Sequence, residues 1–242
     1  MVVGEAVKLE YKMKKGEALT YKTTVRSEQE IKTEDQSGST SSDVEMKMVQ
    51  KCTDVDAEGT MTVDVTIQSG KVVREGEEQE LPNIGQTITL KMKKNGEIVH
   101  TSVDLPFEQP AFPTGSVKKG DTWVGKSKIS IPGKTEMVGL DYNYSLWGFQ
   151  KINNFECSEI KVTCPETKIP IQEGIDQVLS ATGTTYFAHK EGRLVKSEVS
   201  TTTLITAQDG SVDTKIKVVV ELEDKKAPSV GLGGPDEGFI IK

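Results

Sequence analysis

The chain has 242 residues, 30 Lys and Arg against 37 Asp and Glu, and a formal net charge of −7. Only 35% of its residues are hydrophobic and 5% aromatic, so its core is thin or one-sided. The acidic balance excludes electrostatic capture by nucleic acid or anionic membranes, and no stretch nears the roughly 18 apolar residues that span a bilayer.

The N-terminal run lacks the basic and apolar regions of a secretory signal, which leaves a cytoplasmic protein or a mature exported one. Abundant Ser and Thr, scarce Leu and short strands favour the second, an extracytoplasmic location. From Val7 onward the pattern has period two. Val7, Leu9, Tyr11 and Met13 alternate with polar residues, as do Met61, Val63, Val65 and Ile67. The same holds for Val138, Leu140, Tyr142, Tyr144 and Leu146, and for Ile216, Val218, Val220 and Leu222. Such alternation predicts strands with one dry and one wet face. The best helical candidate, residues 172–180, is short. Turns are expected at Lys15-Gly16, Asn95-Gly96, Lys119-Gly120, Glu191-Gly192 and Asp209-Gly210. The expected fold is all-β and antiparallel.

Three blocks recur in order. Residues 13–25 match 117–129, residues 55–65 match 152–162, and residues 90–100 match 186–196, at offsets of 104, 97 and 96. That period indicates a duplicated curved-sheet unit, half-barrel or sandwich-like, rather than a solenoid. The expected units are residues 1–108 and 109–226, followed by a Gly/Pro linker and terminal strand over 227–242. Pro106, Pro110 and Pro113 make 105–115 a stiff, extended connector, with Phe107 and Phe112 expected to dock on the units.

The run Val117-Lys118-Lys119-Gly120-Asp121-Thr122-Trp123, then Gly148-Phe149, Asn154-Phe155-Glu156-Cys157 and Glu191-Gly192-Arg193-Leu194, resembles an uncharacterised group of envelope β-proteins and lipoproteins. The resemblance spans about residues 8–223 and implies duplicated, strongly curved antiparallel sheets. A likeness of shape alone extends to half-barrel lipoprotein carriers, which hold an acyl chain in a concavity. Neither supplies catalytic residues.

Candidate chemistry is sparse. Asp54-Val55-Asp56-Ala57-Glu58-Gly59 begins like a calcium loop, but Val65 stands where a bidentate Glu belongs, so an acidic turn is expected. His100 and His189 lack partners at ligand spacing, so no metal or cofactor is expected. No nucleophile elbow or phosphate loop occurs, and the chain reads as a non-enzyme. Cys52, Cys157 and Cys164 are odd in number; the last two fall on opposite faces of one strand and are expected as buried, unbridged thiols. Tyr142, Tyr144, Trp147, Phe149 and Trp123 form a candidate platform for an apolar ligand or sugar, against the alternative of plain core packing. Tyr142 and Tyr144 share a face, with Trp147 and Phe149 on the other unless a bulge intervenes. The apolar end Phe239-Ile240-Ile241 follows a flexible run and is a candidate strand for docking on its own sheet or on a neighbour's edge.

Two functions follow. The first is a structural or adhesive subunit, a homo-oligomer or a partner of envelope proteins, assembling by terminal-strand addition. The second is a carrier of a lipid or other apolar ligand, expected to enclose a cavity of roughly 300–1,000 Å³.

Overall fold

A computed structural model describes residues 6–103, 111–129 and 137–223. The expected assembly strand, Phe239, Ile240 and Ile241, lies outside the described residues, as do Phe107 and the centre of the connector. The first stretch forms β1 (Ala18–Thr33), β2 (Ser37–Val55), β3 (Met61–Arg74), β4 (Glu77–Glu80), β5 (Thr87–Met92) and β6 (Ile98–Thr101). The second forms β7 (Thr122–Ile129), β8 (Val138–Ile152), β9 (Phe155–Gln172), β10 (Ile175–Ala188), β11 (Arg193–Ala207) and β12 (Gly210–Leu222). The protein is all-β among the described residues, as the alternation predicts. The short helical candidate at 172–180 is the end of β9, a turn at Glu173-Gly174 and the start of β10, in keeping with the all-β expectation. Its apolar residues pack on neighbouring strands, which overrides a weak local helical pattern.

All twelve strands form one open sheet in the order β6-β5-β3-β2-β1-β12-β11-β10-β9-β8-β7, with β4 against β3. Both sequence stretches are meanders within it, and β12 joins them by pairing with β1 and β11. The two Lys-Lys-Gly turns carry matching bonds. Gly16 N–H donates to Cys52 O and Gly120 N–H to Leu146 O, both at 2.8 Å. The Glu17 and Asp121 carboxylates accept from the N–H groups of Lys14 and Lys118 at 3.0 and 2.9 Å. Gly16 and Gly120 have φ of +86° and +93°, a conformation that side chains with a Cβ rarely adopt.

The sheet curls hard at one end. Strands lie about 4.8 Å apart, so the β5–β6 and β10–β11 turns, six strands apart from β5 to β10, would be about 29 Å apart if it were flat. Yet the adjacent residues Tyr11 and Lys12 bond both: Tyr11 N–H donates to Lys94 O at 2.6 Å and Lys12 N–H to Gly192 O at 2.8 Å. Val7 forms an isolated antiparallel bridge with Val117, and Phe112 N–H reaches Asn95 O. Residues 7–13, expected as a strand, therefore form an extended strap across the curled end, alternating in burial but bonded to turns rather than to one ladder.

Under this strap lies the larger part of the core. Phe187, fully buried, meets Tyr11 and Phe112 edge-on at centroid distances of 5.0 and 4.9 Å. Leu9, Leu146 and Ile160 are also fully buried beside it. Leu19, Tyr21, Met61, Val63 and Leu222 continue the packing across the strand ends. We call this end the base. At the other end, the tip, β1 and β2 run from residue 24 to residue 47 without one buried side chain.

Candidate functional site

Register defines which side chains share the inner face, the one that carries the core. Between base and tip, one cross-strand row runs Trp123, Tyr144, Val162, Gly183, Val199, Val218, Val25, Val44 and Val72, each aligned with its neighbour. Val162 is buried; the others are only half-buried. No helix is present among the described residues to cover this row. It forms an apolar band on nine strands, and Gly183 marks a tight point within it. A Cβ there would lie 2.5 Å from Glu198 O and 2.9 Å from a Val199 methyl, so only glycine lets β10 and β11 approach this closely.

Of the expected platform, the structure brings Trp123, Tyr144 and Tyr142 together. Trp123 and Tyr144 stack at 5.5 Å with 9° between ring planes, and Tyr142 lies 6.5 Å from Tyr144. Burial pushes both tyrosine hydroxyls above their ordinary pKa. Trp147 and Phe149 do not join them. The β8–β9 register shifts between Leu146 and Gly148, making Trp147 the extra residue of a bulge; it is 63% exposed. Past the bulge, Phe149 aligns with Ser158 and hence with Phe187, and it meets His189 edge-on at 5.7 Å. The bulge thus divides these two residues between faces, where unbroken alternation would pair them.

The remaining candidates resolve as structure. Asp56 Oδ1 accepts from the N–H groups of Glu58 and Thr60, a turn-closing carboxylate, while Asp54 pairs with Lys15. Among the described residues no group of three or more metal-ligating side chains converges. His189 Nδ1 and Ser158 Oγ lie 3.1 Å apart, but Ser158 is fully buried and its hydroxyl is sealed from any substrate. His100 is exposed on β6. Cys52, Cys157 and Cys164 are free and buried, and burial raises all three thiols, Cys157 to about 11.

The enclosed apolar cavity expected of a carrier is replaced by the open band. A cavity of about 670 Å³ on the opposite face is lined by Lys22, Lys47, Lys71, Glu45, Glu78 and Glu223, among others. Its charges satisfy one another, with Lys71 to Glu78 at 2.8 Å and Lys47 to Glu223 at 2.5 Å. It is a wet, ion-paired hollow rather than a place for an acyl chain.

No family model and no curated protein sequence matches the chain. Solved structures give weak likenesses. A DUF1329 family protein from Desulfovibrio piger is 12% identical, covering 87% of each chain, with a TM-score of 0.18. A putative outer membrane lipoprotein-sorting protein domain from Vibrio parahaemolyticus is 9% identical over 87% of this chain and 86% of that one, with a TM-score of 0.17. A LolA superfamily protein from Nitrosomonas europaea is 10% identical over 87% and 88%, with a TM-score of 0.16.

No helix among the described residues is long and apolar enough to cross a membrane.

The band went unnamed in the sequence because strand alternation gives the dry face of each strand but not the order of strands. Val25 and Val218 become neighbours only through the β1–β12 pairing, across almost the whole chain.

Proposed function

We propose that the protein is a non-enzymatic extracytoplasmic carrier that holds a lipid or other apolar ligand against the inner face of its sheet. One observation supports this above all: nine cross-strand neighbours form a continuous apolar band that the fold leaves half open. Exposed apolar area costs about 25 cal/mol per Å², so a contiguous band without a cover favours a ligand that removes it from water. The curled base fixes the band's shape, and the aromatic pair Trp123 and Tyr144 gives one end a broad, rigid contact surface.

The two faces provide the test. Val218 lies in the band, while its neighbour Val219 points to the opposite face, aligned with Thr24 and Glu198. Equilibrium titration with a fluorescent acyl probe is expected to show saturable binding that V218E abolishes and V219E leaves intact. Equal loss in both variants, or no binding by the unaltered chain, overturns the proposal.

A further inference from the structure

Toward the tip, the inner row next to the band changes character along the sheet. On β9 and β10 it holds Cys164 and Ala181, both buried. On β1, β2 and β3 the same row holds Ser27, Ser42 and Arg74, aligned with one another and two residues along from Val25, Val44 and Val72. Gln29 and Thr40 pair in the row after it. Together with Glu75 these side chains line an open hollow of about 450 Å³ against the β3 end of the band. None of them is buried, so a ligand on the inner face reaches all of them.

Two of the chain's three arginines are paired, Arg193 with Glu17 at 2.8 Å and Arg26 with Glu28 at 3.2 Å. Arg74 has no ion pair or side-chain hydrogen bond among the described residues, although Glu77 is its neighbour across β3 and β4. Glu75, exposed in the following turn at φ +52°, has none either. The inner-face positions of β1, β2, β11 and β12 beside and beyond the band carry no charge, which leaves Arg74 and Glu75 as the hollow's charged groups. From the band outward, Val72, Arg74 and Glu75 thus present an apolar, a positive and a negative group in that order. A guanidinium matches a phosphate oxygen pair, and a carboxylate matches an ammonium. A purely anionic headgroup would meet the like charges of Glu75 and Glu77, and a neutral one would leave both charged groups of the hollow without a partner. We infer that the ligand is a zwitterionic lysophospholipid, its single chain along the valines, its phosphodiester against Arg74 and the Ser27 and Ser42 hydroxyls, and its ammonium toward Glu75. This rests on the carrier reading and names the class of ligand within it.

The test compares three probes with one oleoyl chain, each below its micelle concentration: monooleoylglycerol, oleoyl-lysophosphatidylglycerol and oleoyl-lysophosphatidylethanolamine. They carry a neutral, an anionic and a zwitterionic headgroup. The unaltered chain is expected to bind the ethanolamine lipid about fivefold to tenfold more tightly than monooleoylglycerol, the worth of one charge-assisted contact at an open site. Oleoyl-lysophosphatidylglycerol is expected to fall between the two. R74Q is expected to erase the phospholipid preference and leave monooleoylglycerol binding intact, and E75Q to erase the discrimination between ethanolamine and glycerol headgroups. Both side chains are exposed, so neither variant is expected to alter the fold. Equal binding of the three probes by the unaltered chain overturns the inference and leaves the carrier reading standing. A phospholipid preference that survives in R74Q overturns the role of Arg74, and equal or tighter binding of the anionic lipid overturns the zwitterionic assignment. Binding of none of the probes overturns the carrier reading itself.

Discussion

The base and the tip share the strands β1, β2, β11 and β12, yet along these strands only the base has a core. A second buried cluster, Leu140, Cys164, Ile169, Leu179 and Ala181, lies beyond the band on β8, β9 and β10. At the base, the strap, the Phe112 segment and the turns cover the inner face, and Phe187, Leu9, Leu146 and Ile160 are fully buried. At the tip, β1, β2, β11 and β12 continue as a single layer rich in Ser, Thr and charge, with Ile31 40% and Leu204 37% exposed. Ladder hydrogen bonds run the length of both regions, to the Thr33 and Gly210 pair. The difference shows that backbone pairing suffices to extend a sheet, while covered apolar area anchors it. Between the two lies the band, apolar like the base and uncovered like the tip, and that intermediate state is what makes it a binding surface.

The comparison is broken most severely at the base. F187A removes a fully buried ring from its contacts with Tyr11 and Phe112 and is expected to cost about 3–5 kcal/mol in urea unfolding. I31A at the tip is expected to stay within about 0.5 kcal/mol by the same measurement. Similar losses in the two variants would erase the distinction between the regions.

G183V tests the curl. The added side chain meets Glu198 O and Val199, and the expected loss is about 1–3 kcal/mol together with weakened acyl-probe binding. Unchanged stability would mean that β10 and β11 need no such close approach.

Alkali probes the buried thiols. Burial lifts Cys157 from an ordinary value of 9.0 to about 11, so the folded chain holds this proton more tightly than the unfolded one. Its contribution is complete below about pH 9 and is lost as pH rises toward 11. Urea midpoints are expected to fall between pH 8 and 10.5, with a shallower fall in C157A. Parallel profiles for the two proteins would contradict this.

The smallest effect is expected from ion pairs at the tip. Arg26 and Glu28 lie 3.2 Å apart with both side chains more than half exposed. E28Q is expected to change stability by less than about 0.5 kcal/mol. A larger loss would show that charge, rather than pairing alone, holds the single layer.

Much of the fold was legible in the sequence because it is encoded locally. Alternation at 138–146 and 216–222 gave strands with the observed dry faces, and Lys15-Gly16 and Lys119-Gly120 gave turns. Phe112 docks on Tyr11 and Phe187, as an aromatic in a stiff connector should. The features that escaped are set by distant partners. Residues 7–13 alternate like a strand, but their bonds go to Lys94 and Gly192, which only the curl brings together. Trp147 and Phe149 were divided by a one-residue bulge that no local pattern reports. Tyr142, Tyr144 and Trp123 were legible as aromatics sharing a region, while Val25, Val44, Val199 and Val218 had no mark beyond β propensity.

The two tryptophans allow one direct measurement of whether a ligand lies in the band. Trp123 belongs to it, and Trp147 projects from the bulge, 63% exposed. A monoacylglycerol with a brominated chain quenches indole emission at short range. Titrated into W147F, where Trp123 alone reports, it is expected to quench emission saturably; in W123F, where Trp147 alone reports, emission is expected to remain. Undiminished Trp123 emission, or quenching of Trp147 to the same extent, would contradict a ligand seated on the inner face.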